Sequence, residues 1–169
     1  MADAATITSS NLVLPDEIAK TITGEFSYQP ASVAEGWYYK LTDVTNTSTA
    51  LISQDTFLQM GTNAAGEDTG TNMEIISPLD EVKFLLIKHT GYRDDGTTGN
   101  TADSIYISFD GGGAAHNGTT SLEIGPGETF HCKPGCTVAG IHAISAQKAK
   151  AGTSSNKVQA IVCAIIKNI

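Results

Sequence analysis

The chain's softest metal ligands are four histidines and three cysteines, and His131, Cys132, Cys136 and His142 fall close together. Tetrahedral zinc needs four such groups converging at about 2 Å. The spacing does not favour it. His131 and Cys132 are neighbours in an extended stretch, where successive side chains leave on opposite faces. A Cys-x3-Cys step across Lys133-Pro134-Gly135 also departs from the usual zinc knuckle. A small apolar cysteine beside a turn and a surface histidine is the plainer account, so no metal is expected. Cys132 and Cys136 could close a short disulfide loop geometrically. An odd set of cysteines in a chain expected to stay in the cytosol reads instead as reduced thiols.

Asp94-Asp95-Gly96 and Asp103 offer oxygen ligands, but calcium takes roughly six to eight oxygens and the D-x-[DN]-x-[DN]-G spacing is not met. A solvated polar loop accounts for them. There is no G-x-S-x-G elbow, Walker phosphate loop, dinucleotide fingerprint or H-E-x-x-H helix. The 18 acidic residues include none in an apolar run that would raise its pKa for general acid work. His89, His116, His131 and His142 lie in different segments with no H-x-H pair, which argues against a cupin-like metal enzyme. Catalytic residues: none; cofactor: none; the chain is not expected to be an enzyme. Trp37-Tyr38-Tyr39 is the densest aromatic group, and alternation places Trp37 and Tyr39 on one side and Tyr38 on the other. Core packing of Trp37 and Tyr39 is expected, ahead of a platform for a ligand.

The elements that must carry these residues are strands. Helical periodicity is nearly absent, and alternation recurs along the chain. Ile18 to Tyr28 sets Ile22, Phe26 and Tyr28 on one face, with Gly24 marking a bulge. Further strands are expected at Trp37 to Thr45, Leu51 to Met60, Met73 to Ser77, Val82 to Lys88, Ser104 to Asp110, Thr120 to Ile124, Thr129 to Cys132, Val138 to Ser145 and Lys157 to Lys167. Turns are expected at Gly61-Thr62-Asn63, Pro78-Leu79-Asp80, Gly111-Gly112-Gly113, Gly125-Pro126-Gly127-Glu128 and Lys133-Pro134-Gly135. Val82 to Lys88 and the last strand are apolar on both faces, which places the former inside a sheet with cover on each side. Thr90 to Asp103 is the longest polar loop, and Gln147 to Asn156 is another. About nine or ten short strands joined by such turns predict an all-β, antiparallel β-sandwich of jelly-roll-like topology. It is one domain over residues 1–169, with residues 1–12 as an extended N-terminal arm.

A chain of 169 residues can bury roughly 70% of its unfolded surface without disulfide support. The N-terminus lacks a basic start and an apolar run, so synthesis in a cytosol is expected. The sequons at Asn46 and Asn117 are then chance matches. Val158 to Ile166 is about half the length a spanning helix requires, so no membrane is expected. A formal charge of -8, with Arg93 the sole arginine, leaves no basic patch for phosphates and makes nucleic acid an unsuitable partner.

Ser104-Ile-Tyr-Ile-Ser-Phe-Asp-Gly-Gly-Gly, then Thr120-Ser-Leu-Glu-Ile-Gly-Pro-Gly-Glu-Thr-Phe130, then Val138-Ala-Gly-Ile-His-Ala-Ile-Ser145 resembles a pattern in small β-sandwich virion proteins of tailed bacteriophages. Head decoration (cement) proteins and some tail accessory proteins are similar in style. The resemblance implies a capsid decoration protein that binds the outer surface of the major capsid protein shell, as a homotrimer. Its location would be the virion surface after synthesis in the host cytoplasm. It brings no catalytic residues, metal or cofactor. The alternative is a tail or fibre module binding host glycans, which predicts exposed aromatics and the loop acids Asp94, Asp95 and Asp103 gathered at one end.

Overall fold

The computed structural model describes residues 5–13, 21–30, 34–45, 47–53, 57–60, 73–93, 103–109, 122–145 and 157–169. Its strands are β1 (Ala5–Val13), β2 (Thr21–Tyr28), β3 (Glu35–Val44), β4 (Thr49–Ala50), β5 (Phe57–Met60), β6 (Met73–Ile75), β7 (Glu81–Arg93), β8 (Ile105–Ser108), β9 (Leu122–Ile124), β10 (Thr129–Cys132), β11 (His142–Ser145) and β12 (Val158–Lys167). All observed pairings are antiparallel. The expectation of an all-β antiparallel chain therefore holds. Among the described residues no helix is long and apolar enough to cross a membrane.

The strands form a six-stranded sheet in the order β10-β7-β12-β3-β5-β6, a four-stranded sheet in the order β4-β11-β8-β9, and a two-stranded ribbon of β1 and β2. Four pairings are nested: β8 with β9, β7 with β10, β4 with β11, and β3 with β12. In these four pairings the later strands pair with the earlier ones in reverse sequence order, while β5 and β6 stand outside the nesting at one edge of the six-stranded sheet. Contacts of β12 with β7 and of β11 with β8 close each sheet.

One core joins the two larger sheets. Tyr38 and Val44 of β3, Leu85 and Ile87 of β7, and Val158, Ala160, Val162, Ala164 and Ile166 of β12 meet Ile105 and Ile107 of β8 and Ile124 of β9. Phe109 and Phe130, from opposite sheets, stack at a tilt with ring centroids 6.3 Å apart. Each fully buried isoleucine or leucine here contributes about 1.5–3 kcal/mol relative to exposure. As expected, β7 is internal, between β10 and β12.

Local turn chemistry works as the sequence suggests. At Pro78-Leu79-Asp80 the buried Asp80 carboxylate accepts from Ser77 N–H at 2.8 Å, and the Asp80 N–H donates to the Ser77 carbonyl at 3.2 Å. Gly125 to Glu128 closes with Glu128 N–H on the Gly125 carbonyl at 3.0 Å, and Gly127 takes φ 81°, a left-handed conformation that favours glycine.

Residues 5–13 of the expected arm form a strand paired with β2 in a sheet of its own, and residues 1–4 lie outside the described set. Three expectations are corrected. The bulge falls in β1, between Ile7 and Ser10, and Gly24 is the residue opposite Ser10. Leu51 to Met60 is not one strand: Leu51 and Ile52 are buried beside β4, and β5 pairs in the other sheet. Val138 to Ser145 begins with a 3-10 turn, Val138–Gly140, before β11 starts at His142. The expected turns at 61–63 and 111–113 and the loop at 147–156 lie outside the described residues.

Candidate interaction face

The metal candidates divide between faces and sheets. Phe130 and Cys132 of β10 pack against the core, so alternation sets His131 on the outer face, where its register partner is Leu86. Cys136 also packs on the core from the turn after β10, and His142 lies in β11 of the other sheet, opposite Ser108. Burial, with the nearby Cys136 second, pushes the Cys132 thiol up to about 11. Burial also raises Cys136 and Cys163. Such thiols are poor nucleophiles at neutral pH. Among the described residues no three or more of His, Cys, Asp and Glu gather as a metal site.

Of the calcium candidates, Asp94, Asp95 and Gly96 lie outside the described residues. The Asp103 carbonyl meets Nε2 of His89 at 2.8 Å. A carbonyl only accepts, so Nε2 carries the proton, while Gly91 N–H donates to Nδ1 at 2.9 Å. His89 is completely buried. The backbone around it continues the β7–β10 pairing, with His89 N–H on the Glu128 carbonyl at 3.0 Å and Gly127 N–H on the His89 carbonyl at 3.1 Å. The histidine is a structural fastener that ties the end of β7 to Asp103 and the start of β8.

A groove of about 530 Å³ lies between β3 and Thr49–Ser53, lined in part by Lys40, Thr42, Asp43 and Thr49. Lys157 engages the Asp43 carboxylate at 3.6 Å, and the lining contains no histidine or cysteine.

The most informative surface is the outer side of the six-stranded sheet. Here the expected placement of the aromatic group is reversed: Tyr38 is in the core at 2% exposure, and Tyr39 is 70% exposed. Trp37 packs edge-on against Phe84, with centroids 6.3 Å apart, and joins Ile165, Tyr28 and Leu86 in a second small cluster. The rows follow from register. Trp37 stands beside Ile165 and Phe84; Tyr39 beside Cys163 and Leu86; Leu41 beside Ile161 and Lys88. Cys163, Ile161 and Leu86 are partly exposed, and Leu41 is 49% exposed.

The reason for the reversal is that β3 turns its more apolar alternate set outward. Trp37, Tyr39 and Leu41 face away from the core, and Tyr38, Thr42 and Val44 face inward. Pairing with β12 settles this, because β12 sends an unbroken apolar set inward. The clue in the sequence was the apolar character of both faces of β7 and β12, which needed to be extended to β3. The six-stranded sheet thus carries a second apolar set, turned outward, beside the one in the core.

Tyr28 sits at one margin of the face. Its hydroxyl lies 3.1 Å from each carboxylate oxygen of the buried Glu35, and Lys133 Nζ lies 5.6 Å from its ring centroid. Burial, then the hydrogen bond and charge of Glu35, push Tyr28 up to about 12.

No protein-family profile and no curated protein matches the sequence. Among solved structures, a chain from Bacillus endospore appendages, described as a family of disulfide-linked pili, matches at 12% identity and a TM-score of 0.37. The match covers 80% of this chain and 87% of that one. That likeness is too distant to carry an inference about role.

Proposed function

We propose that this chain is a structural subunit of a bacteriophage virion, a head decoration (cement) protein. In this reading it seats on the outer surface of the major capsid protein shell as a homotrimer and resists the outward pressure of packaged DNA. The observation that carries the reading is the six-stranded sheet with two apolar faces, one in the core and one outward at Tyr39, Leu41, Ile161 and Leu86. A subunit buried partly by its neighbours needs such a second face.

Two further features support it. We read the four nested pairings of β3 with β12, β4 with β11, β7 with β10 and β8 with β9 as the doubled Greek key of a jelly roll, with β5 and β6 added at one edge. That architecture serves shell proteins, though it also serves lectins and enzymes, so it supports the role by analogy alone. The formal charge of -8 suits a protein made in many copies that must stay soluble before it assembles.

The test is electron microscopy of particles made with and without this protein. Regular density on the head surface, lost in its absence, is the expected result. Density confined to the tail or fibres would remove the cement reading and favour the glycan-binding alternative.

A further inference from the structure

Strand β3 is fully paired on one side and nearly bare on the other. All 10 of its residues, Glu35 to Val44, have register partners in β12, while β5 meets only Gly36 and Trp37. The direction of each backbone group beyond Trp37 follows from the neighbouring ladders. The N–H and carbonyl of His89 both bond to the turn before β10, so alternation turns the backbone groups of Leu86 and Lys88 towards β12. Leu86 and Lys88 therefore bond to Cys163 and Ile161, which leaves Ala160, Val162 and Ala164 to bond to Thr42, Lys40 and Tyr38. Tyr39 and Leu41 are the alternate residues of β3, and their N–H and carbonyl groups point away from β12. Among the described residues nothing bonds to those groups. The groove of about 530 Å³ lies here, walled by Lys40 to Asp43 on one side and by Thr49 to Ser53 on the other. Four consecutive residues of β3 line it, so it runs along the edge of the strand and not over one face.

We propose that this edge of β3 takes up an extended segment of a partner protein as an added strand, with an apolar–acidic–apolar pattern whose carboxylate stands beside Lys40. An unpaired strand edge is a template for such pairing. The added strand continues the place that β5 holds beside Gly36 and Trp37. Its side chains alternate between two surroundings. Those beside Tyr39 and Leu41 lie on the outer side, where these residues are 70% and 49% exposed, and apolar cross-strand neighbours suit them. The side chain between them lies beside Lys40, which is exposed and enters no ion pair among the described residues, whereas Asp43 is engaged by Lys157. A carboxylate complements it. The groove volume falls within the roughly 300–1,000 Å³ of ligand sites, and four strand residues span about 13 Å. The described strands of this chain with the same pattern, Met73-Glu74-Ile75 and Leu122-Glu123-Ile124, are held as β6 and β9 in their own sheets. A segment free of any sheet, from another protein, is therefore the occupant. The site stands apart from the virion reading, which rests on a sheet face and not on this edge.

The test uses the full chain, isotope-labelled for nuclear magnetic resonance, and the blocked peptide acetyl-Thr-Val-Glu-Val-Thr-amide. In the free chain the Tyr39 and Leu41 amides are expected to exchange with solvent quickly, and those of Lys40 and Thr42 slowly. The peptide is expected to shift the Tyr39 and Leu41 resonances saturably, with a dissociation constant of about 1 mM or lower, and to slow their exchange. Methylating its valine nitrogens removes the donors and should weaken binding about tenfold. A peptide with Lys in place of Glu should bind about threefold more weakly, and Lys40→Glu should reverse that preference. Leu41→Pro removes an N–H that points into the groove, leaves the β12 ladder intact and should abolish binding. Circular dichroism checks that each variant folds, and Lys40→Glu decides the matter if the proline variant does not. Slow exchange of the Tyr39 and Leu41 amides in the free chain, or no saturable shift at about 5 mM peptide, would overturn the proposal. So would equal binding of the methylated peptide. Protection of the two amides that grows with protein concentration alone would also overturn it, and would assign the edge to a second copy. Peptide binding by a chain that is absent from particles would sink the virion reading and leave this site standing.

Discussion

His89 shows how a completely enclosed polar side chain can strengthen a β-sandwich. Its ring donates from Nε2 to Asp103 and accepts at Nδ1 from Gly91, so the neutral imidazole joins two backbone groups 12 residues apart in sequence. His89→Leu removes both connections and is expected to cost about 2–3 kcal/mol, measured by urea unfolding. His89→Asn retains an acceptor for the Gly91 N–H and should cost less. Tyr28 offers a check by pH. The folded protein holds its phenol protonated, raising its pKa from 10.0 to about 12 through burial first and Glu35 second. The phenolate is the form the fold disfavours, so Tyr28's contribution is complete below pH 10 and is lost as pH rises through about 12. Tyr28→Phe should flatten that alkaline loss, and the ultraviolet absorbance of tyrosinate should locate the titration.

At the scale of elements, turns whose geometry is local were legible and strand faces were not. Gly125 to Glu128 illustrates the first case, because one positive φ and one backbone bond suffice to make the turn. Gly127→Ala meets no neighbouring atom, so only backbone strain opposes it. The expected cost is about 1–2 kcal/mol in thermal or urea unfolding, and Gly127→Asn should cost less. Strand β3 illustrates the second case. Alternation groups Trp37 with Tyr39 and separates them from Tyr38, but it is symmetric and does not name the inner face. A partner more than a hundred positions along the chain, β12, decides it. The run Leu51 to Met60 was misread for a related reason. Its apolar content suits a strand, yet the chain changes sheets within it, and that crossing depends on where β3 and β11 lie. The candidate face was therefore visible only in part, as apolar residues on both sides of β7 and β12. His89 entered that reading only as one of four scattered histidines, and its fastening role was not legible, since its partners come together only on folding.

At the scale of the whole molecule, charge and hydrophobicity pull in opposite directions. Copies carrying a formal charge of -8 repel one another, and the outer sheet face favours contact. Raising ionic strength from about 0.05 to 0.5 M shortens the screening length severalfold and should strengthen self-association, read as mass in light scattering. The order of the strands adds a constraint in time. The strand β12, made after all the others described here, is inserted between β3 and β7 in the six-stranded sheet. During translation, β3 and β7 can therefore exist only as incomplete surfaces, with neither the inner nor the outer face of the sheet continuous. The rows that pair Tyr39 with Cys163 and Leu41 with Ile161 come into being when β12 leaves the ribosome. Until β12 is made, the six-stranded sheet lacks the strand that joins β3 to β7, and both of its faces are interrupted there.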